Sequence, residues 1–166
     1  MMVESNKDYE NFLEEVYTKD QLAGLIGEIE LAKSYVYKKE QSIILSKKIE
    51  NKVSERFSKI LAELERKELF PSPSKMQTGY LEDLKKYCLG LPVCKLVISF
   101  YPSFDFQKKL SRWFVDQMGK KVILELSVIE EIVAGAQIEF EGEYRDLSIS
   151  DSIDQMLKNS YLGGGK

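Results

Sequence analysis

Asp146 and Ser148 stand two residues apart, and a carboxylate beside a hydroxyl is two thirds of a nucleophilic triad. The third member is missing, because the 166-residue chain contains no histidine to take the serine proton. The same absence removes the commonest zinc ligand sets and every imidazole general base. Glu130 with Glu131, and Glu139 with Glu141 and Glu143, offer paired carboxylates for acid–base work or for a hard cation. On a strand, however, alternate residues share a face, and here the apolar Ile138 and Phe140 claim the opposite one. The three glutamates therefore read as a solvated side. The tail Gly163-Gly164-Gly165-Lys166 invites a phosphate-loop reading but lacks a preceding strand, a Ser or Thr after the lysine and a following helix. Cys88 and Cys94 are too few for a disulfide framework and too far apart for a redox pair, so they read as buried thiols. Asp146-x-Ser148 is then better explained as a turn or a helix-entry cap. No catalytic set, metal or cofactor is expected.

Bulk properties narrow the class further. With 43% hydrophobic and 31% charged residues the composition is globular, and no run approaches the roughly 18 apolar residues of a membrane-spanning helix. The start, MMVESNKDYENFLEE, is acidic and polar where an export signal would be basic and then apolar, so the cytoplasm is the expected compartment. Net charge is −3 and uneven: nine acids face two bases between Lys121 and Leu157, which would repel a phosphate backbone. The bases between Lys38 and Lys67 are interleaved with acids, as on the solvated side of a helix, so nucleic acid is not an expected partner.

The elements that must position these residues follow from periodicity. Asp20 to Phe70 lacks proline, with Gly24 and Gly27 only near its start, and this predicts one long helix or a helical pair. Leu22, Ile26, Ile29, Ala32 and Val36 form one stripe, and Leu45, Ile49, Val53, Ile60 and Leu64 a second. Between them, over Lys38 to Ser42, the apolar face fades. A shorter helix over Lys7 to Tyr17 should precede this region. Phe70 to Tyr80, with Pro71 and Pro73, reads as a linker, followed by a short helix ending at Gly90 with Leu81, Leu84 and Cys88 inward. The expected domains are a helical region 1–70, a linker with a short helix 71–92, an α/β domain 93–160 and a tail 161–166.

The C-terminal part is the more legible. The apolar run 94–101 predicts a buried central strand, and Ser103 caps a helix whose face is Phe106, Leu110, Trp113, Phe114 and Met118, closed by Gly119. A parallel strand follows, with Val122, Leu124, Leu126 and Val128 on one side. A hairpin then turns at Gly142 with Ile138, Phe140 and Tyr144 inward, and a short terminal helix carries Ile153, Met156 and Leu157. Gly135, just before a strand, is expected where two backbones approach closely. The fold class is α+β: a helical N-terminal arm or hairpin, then a strand-helix-strand-hairpin-helix domain.

Order and spacing from about Cys94 to Leu157 resemble the C-terminal domain of the delta subunit of the F-type ATP synthase, whose mitochondrial relative is the oligomycin-sensitivity-conferring protein. In that family a helix ends in Gly-Lys, a hydrophobic strand follows, then a small-residue pair and a hairpin reaching Asp-x-Ser before a terminal helix. Gly119 and Lys120, Ala134 and Gly135, and Asp146 and Ser148 take those places. Ala134 stands for the family's first glycine, Gly142 falls one place late in the hairpin, and the helical part is shorter than the family's six-helix bundle. The resemblance implies a structural, non-catalytic peripheral-stalk subunit of a rotary proton-translocating ATP synthase, with no cofactor or metal. It would tie b-type stalk subunits to the alpha subunits of the catalytic head, at the cytoplasmic side of the membrane and without inserting into it. Two alternatives stay open at this point. One is the E subunit of vacuolar and archaeal-type ATPases, which has a long N-terminal helix before an α/β head; the other is an unrelated helical adaptor that dimerises.

Overall fold

Among the described residues, five helices precede the first strand: α1 (Glu4–Leu13), α2 (Lys19–Val36), α3 (Leu45–Lys48), α4 (Glu55–Arg66) and α5 (Ser74–Leu89). The computed structural model describes residues 4–38, 44–129 and 136–146. Local chemistry sets the boundaries. At the head of α2, Thr18 Oγ1 accepts the Gln21 N–H while Gln21 Oε1 accepts the N–H groups of Thr18 and Tyr17, a reciprocal cap on otherwise unpaired donors. Ser54 caps α4 by accepting the Phe57 N–H at 3.2 Å. Asn51 (φ 65°) and Glu68 (φ 59°) adopt the left-handed conformation, which no helix interior tolerates.

These breaks correct the expectation of one long helix or a helical pair over 20–70. The described part of that segment is three helices, with the turn between α3 and α4 formed around left-handed Asn51 and closed by the Ser54 cap; residues 39–43 lie outside the described residues. It contains no strand among its described residues. The buried face of α2 is Leu22, Leu25, Ile29, Ala32 and Val36, a three-four repeat in which Leu25 is buried and Ile26 only half-buried. On α4 the buried residues are Phe57, Leu61 and Leu64.

The chain divides into two compact units, Met1–Leu91 and Pro92–Lys166. Residues 71–92, expected to be a linker with a short helix, hold a helix of the first unit from Ser74 to Leu89, with α5 packed against α2. Pro71 and Pro73 precede the helix, where a missing N–H costs nothing. Gly79 lies inside it at a propensity cost of about 1 kcal/mol. Fully buried Leu81, Leu84 and Cys88 outweigh that, since each large apolar side chain contributes about 1.5–3 kcal/mol.

In the second unit β1 (Val93–Ile98), α6 (Phe104–Met118), β2 (Ile123–Val128), β3 (Ala136–Phe140) and β4 (Glu143–Asp146) build a four-stranded sheet in the order β2-β1-β3-β4. β1 is the inner strand, parallel to β2 from Val93↔Ile123 to Ile98↔Val128 and antiparallel to β3 from Cys94↔Phe140 to Ile98↔Ala136. Its buried residues Cys94, Leu96 and Ile98 alternate, as a strand with one covered face requires. Cys94, Phe114, Val122 and Leu124 form the core, with Leu110, Leu126, Ile138 and Phe140 packed on it.

Three inward positions differ from expectation. Tyr144 is 60% exposed, because the two-residue turn pairs Phe140 with Glu143 and so places Tyr144 beside Glu139 on the other face. Phe106 and Trp113 are 42% and 53% exposed, since α6 buries Gln107, Ser111 and Phe114, rotated from the predicted stripe. Gln107 is accommodated by donating Nε2–H to the Pro102 carbonyl at 3.0 Å. The expected terminal helix lies outside the described residues.

Burial pushes the thiols of Cys88 and Cys94 up from 9.0 to about 11. A group whose folded pKa is raised contributes stability that is full below its unfolded value and lost as pH rises through the folded one. Unfolding midpoints in urea should therefore fall as pH climbs from about 9 to about 11, and Cys88→Ala with Cys94→Ala should flatten the lower half of that decline. Tyr80, whose ring meets Tyr9 and Phe70 at 5.2 and 5.1 Å, buries a hydroxyl with no partner among the described residues. Tyr80→Phe should hold or raise stability by up to about 1 kcal/mol, whereas Leu84→Ala should cost about 2–5 kcal/mol in the same measurement.

Candidate functional site

Gly119 ends α6 at φ 67° and ψ 9°, in the left-handed conformation, with its N–H on the Val115 carbonyl at 2.8 Å. A Cβ there would meet nothing within 4 Å, so the requirement is one of backbone conformation and not of space. The next residue, Lys120, reaches the hairpin turn: its Nζ donates to Glu141 Oε1 at 2.8 Å. That turn consists of Glu141 (φ 51°) and Gly142 (φ 83°), both left-handed, as the right-handed twist of paired strands favours. The helix exit and the hairpin tip are thereby joined.

Asp146 closes the ladder at the last step of β3 and β4, opposite Gln137. Ala134, Gly135 and Ser148 lie outside the described residues, as does the close approach expected at Gly135. The outward glutamates engage lysines and not one another: Lys95 Nζ donates to both oxygens of Glu139 at 3.1 and 3.2 Å, and Lys120 takes Glu141. Among the described residues no group of acidic or cysteine side chains is arranged to hold a metal ion.

The structure puts on the surface Phe100, Tyr101, Phe106 and Trp113, which the sequence reading placed inside, and Phe104 is exposed beside them in the chain; the Phe100 and Phe106 rings lie edge to face at 6.3 Å. Val128 and Ile129 are exposed at the matching end of β2, where the Ile129 N–H bonds the Ile98 carbonyl at 2.9 Å. The C-terminal end of the two parallel strands and the start of α6 thus present several large apolar side chains, the kind of surface that marks a protein contact. Buried Gln107 and Ser111 are the signal that reveals it, because polar residues on the covered face mean that the helix is turned.

Residues 2–159 match the ATP synthase delta (OSCP) subunit family. The chain belongs to that family. Its members are the peripheral-stalk subunit of the ATP synthase, and the match spans both units, which decides between the delta-type and E-type alternatives. No curated protein sequence matches the chain. Among solved structures, a chain of the Toxoplasma gondii mitochondrial ATP synthase hexamer is similar over 97% of this chain and 98% of its own, at 13% identity and a TM-score of 0.33, a likeness too distant to add to the assignment.

In this stalk subunit Gly119→Ala should cost about 1 kcal/mol in a urea melt, the cost of a Cβ in left-handed backbone. A double-mutant cycle over Lys120 and Glu141 should give about 0.2–1 kcal/mol, falling with added salt, because both side chains are about half exposed.

Proposed function

We propose that the chain is a non-catalytic connector of the stator, binding b-type stalk subunits and the alpha subunits of the catalytic head at the membrane-peripheral side of the complex. The observation that carries this reading is the family match over residues 2–159. A connector needs rigid bodies with separate contact faces, and each of the two units has its own buried core. Among the described residues no helix is long and apolar enough to cross a membrane, which suits attachment through partners.

The division of labour follows the family resemblance. The helical unit takes the head, and the α/β unit takes the stalk through its exposed aromatic residues, Trp113 and Phe100 foremost. Aromatic anchors suit an interface that must hold under torque, because large rigid side chains dominate binding energy and slow dissociation. Gly119, Lys120, Ala134, Gly135, Asp146 and Ser148 are assigned a structural and not a catalytic role.

Affinity purification of the tagged full chain from its native membranes tests the proposal. Head and stalk subunits should be recovered together with it, and an assembly lacking both would overturn the reading. Trp113→Asp with Phe100→Asp should lower recovery of the stalk subunits at least tenfold while leaving the thermal melt of the chain unchanged.

A further inference from the structure

A cleft of about 350 Å³ opens in the helical unit between the end of α2, α3, α4 and the first turn of α5. Leu45 and Phe70 give it an apolar wall, and Lys48, Glu65, Ser74 and Gln77 supply polar groups. Glu65 is anchored on one side only. Its Oε1 accepts the Ser46 N–H at 3.2 Å, while Oε2 is shielded from solvent and accepts no hydrogen bond among the described residues. A shielded carboxylate oxygen without a donor costs more than an ordinary unmade hydrogen bond, so a donor arriving there gains correspondingly. Lys48, the cation in the lining, does not supply it; its Nζ donates to the Lys38 carbonyl at 3.0 Å.

We propose that this cleft is a binding site for a basic side chain, arginine in preference to lysine, presented by a partner protein. The torsion that turns a glutamate carboxylate is broad, so the Glu65 carboxylate can turn an oxygen to the cleft at the expense of its 3.2 Å bond from the Ser46 N–H. A guanidinium then donates to Oε2, its remaining N–H groups reach the Ser74 hydroxyl and the Gln77 side-chain oxygen, and its stem and plane lie along Leu45 and Phe70. An ammonium ion is a more strongly hydrated point charge and gains less from such a wall. That the arginine belongs to another protein rests on the stator reading; the preference of the cleft for a guanidinium does not.

The test uses the isotope-labelled full chain titrated with N-acetylargininamide, its neutral citrulline counterpart and inorganic phosphate, followed by amide NMR shifts. Arginine amide should shift Leu45, Ser74 and Gln77 saturably. The citrulline analogue should bind on the order of tenfold more weakly, as loss of a charge-assisted bond requires. Glu65→Gln, which keeps an oxygen for the Ser46 N–H, should weaken arginine binding by a similar factor. Gln77→Trp, which fills the cleft from α5 and leaves Glu65 untouched, should abolish it. Absence of saturable shifts in the parent, equal binding of the citrulline analogue, or unchanged binding in Glu65→Gln would each overturn the site. So would phosphate shifting the same three amides, which would make the α5 N-terminus an anion site instead. None of these outcomes depends on assembly with the ATP synthase, so the cleft and the stator role fail separately.

Discussion

A strand hydrogen-bonded along both edges and buried on one face has no freedom of register, and β1 is such a strand. Moving it by one residue against β2 or β3 would carry Cys94, Leu96 and Ile98 from the covered face to the open one and bring Lys95 inward. With β1 held, β2 must place Leu124 and Leu126 beside Cys94 and Leu96, and β3 must place Phe140 and Ile138 beside the same two residues. The covered face is then a patch drawn from three strands, and α6 closes it with Phe114 and Leu110. The hairpin tip and the helix exit meet through Lys120 and Glu141 as a consequence of that arrangement, and their exposed ion pair adds little energy of its own.

The helical unit is held differently, by apolar seams between its helices, the α2 and α5 seam among them, and a set of polar ties at its helix ends. Leu22, Leu25, Ile29, Ala32 and Val36 run the length of α2, and α5 answers with Leu81, Leu84 and Cys88. Arg56 of α4 donates to the carbonyls of Phe12 and Asn11 at 3.1 and 2.9 Å, which are left open at the end of α1, and pairs with Glu15. Lys85 of α5 and Lys33 of α2 share Glu30 at the rim of the α2 and α5 contact. Such exposed pairs orient more than they stabilise, and the buried seam carries the energy.

For a subunit of the peripheral stalk the useful property is mechanical. Among the described residues the groups with raised pKa values are tyrosines and cysteines, and their shifts come chiefly from burial. What the surface offers is contact: apolar side chains around the start of α6 in one unit, and in the other a cleft beside Glu65, whose Oε2 accepts no hydrogen bond among the described residues.

Much of this was legible in the residues themselves. The inner strand, the helix capped by Ser103, the left-handed exit at Gly119 and the turn at Gly142 are local matters of sterics and hydrogen bonding, and the order of those signals also led to the family. Failures came where a local rule met a partner it could not see. Pro71 and Pro73 announced a break, and a short helix up to Gly90 with Leu81, Leu84 and Cys88 inward was legible behind it, but its start at Ser74 and its packing against α2 were not, because they depend on neighbours in space. Ile26 and Leu25 satisfy helical spacing almost equally, and Phe106 and Trp113 lie on a plausible stripe; the choice between faces was made by the surface each helix lies against. Tyr144 is the sharpest case, since a two-residue turn decides which strand position faces which, and that pairing exists only once the chain has doubled back. Sequence by itself determined the strands, the cap at Ser103, the helix exit at Gly119 and the turn at Gly142, because these depend on neighbours along the chain. Tertiary structure alone decided which apolar residues are core and which are contact surface, because burial depends on neighbours in space.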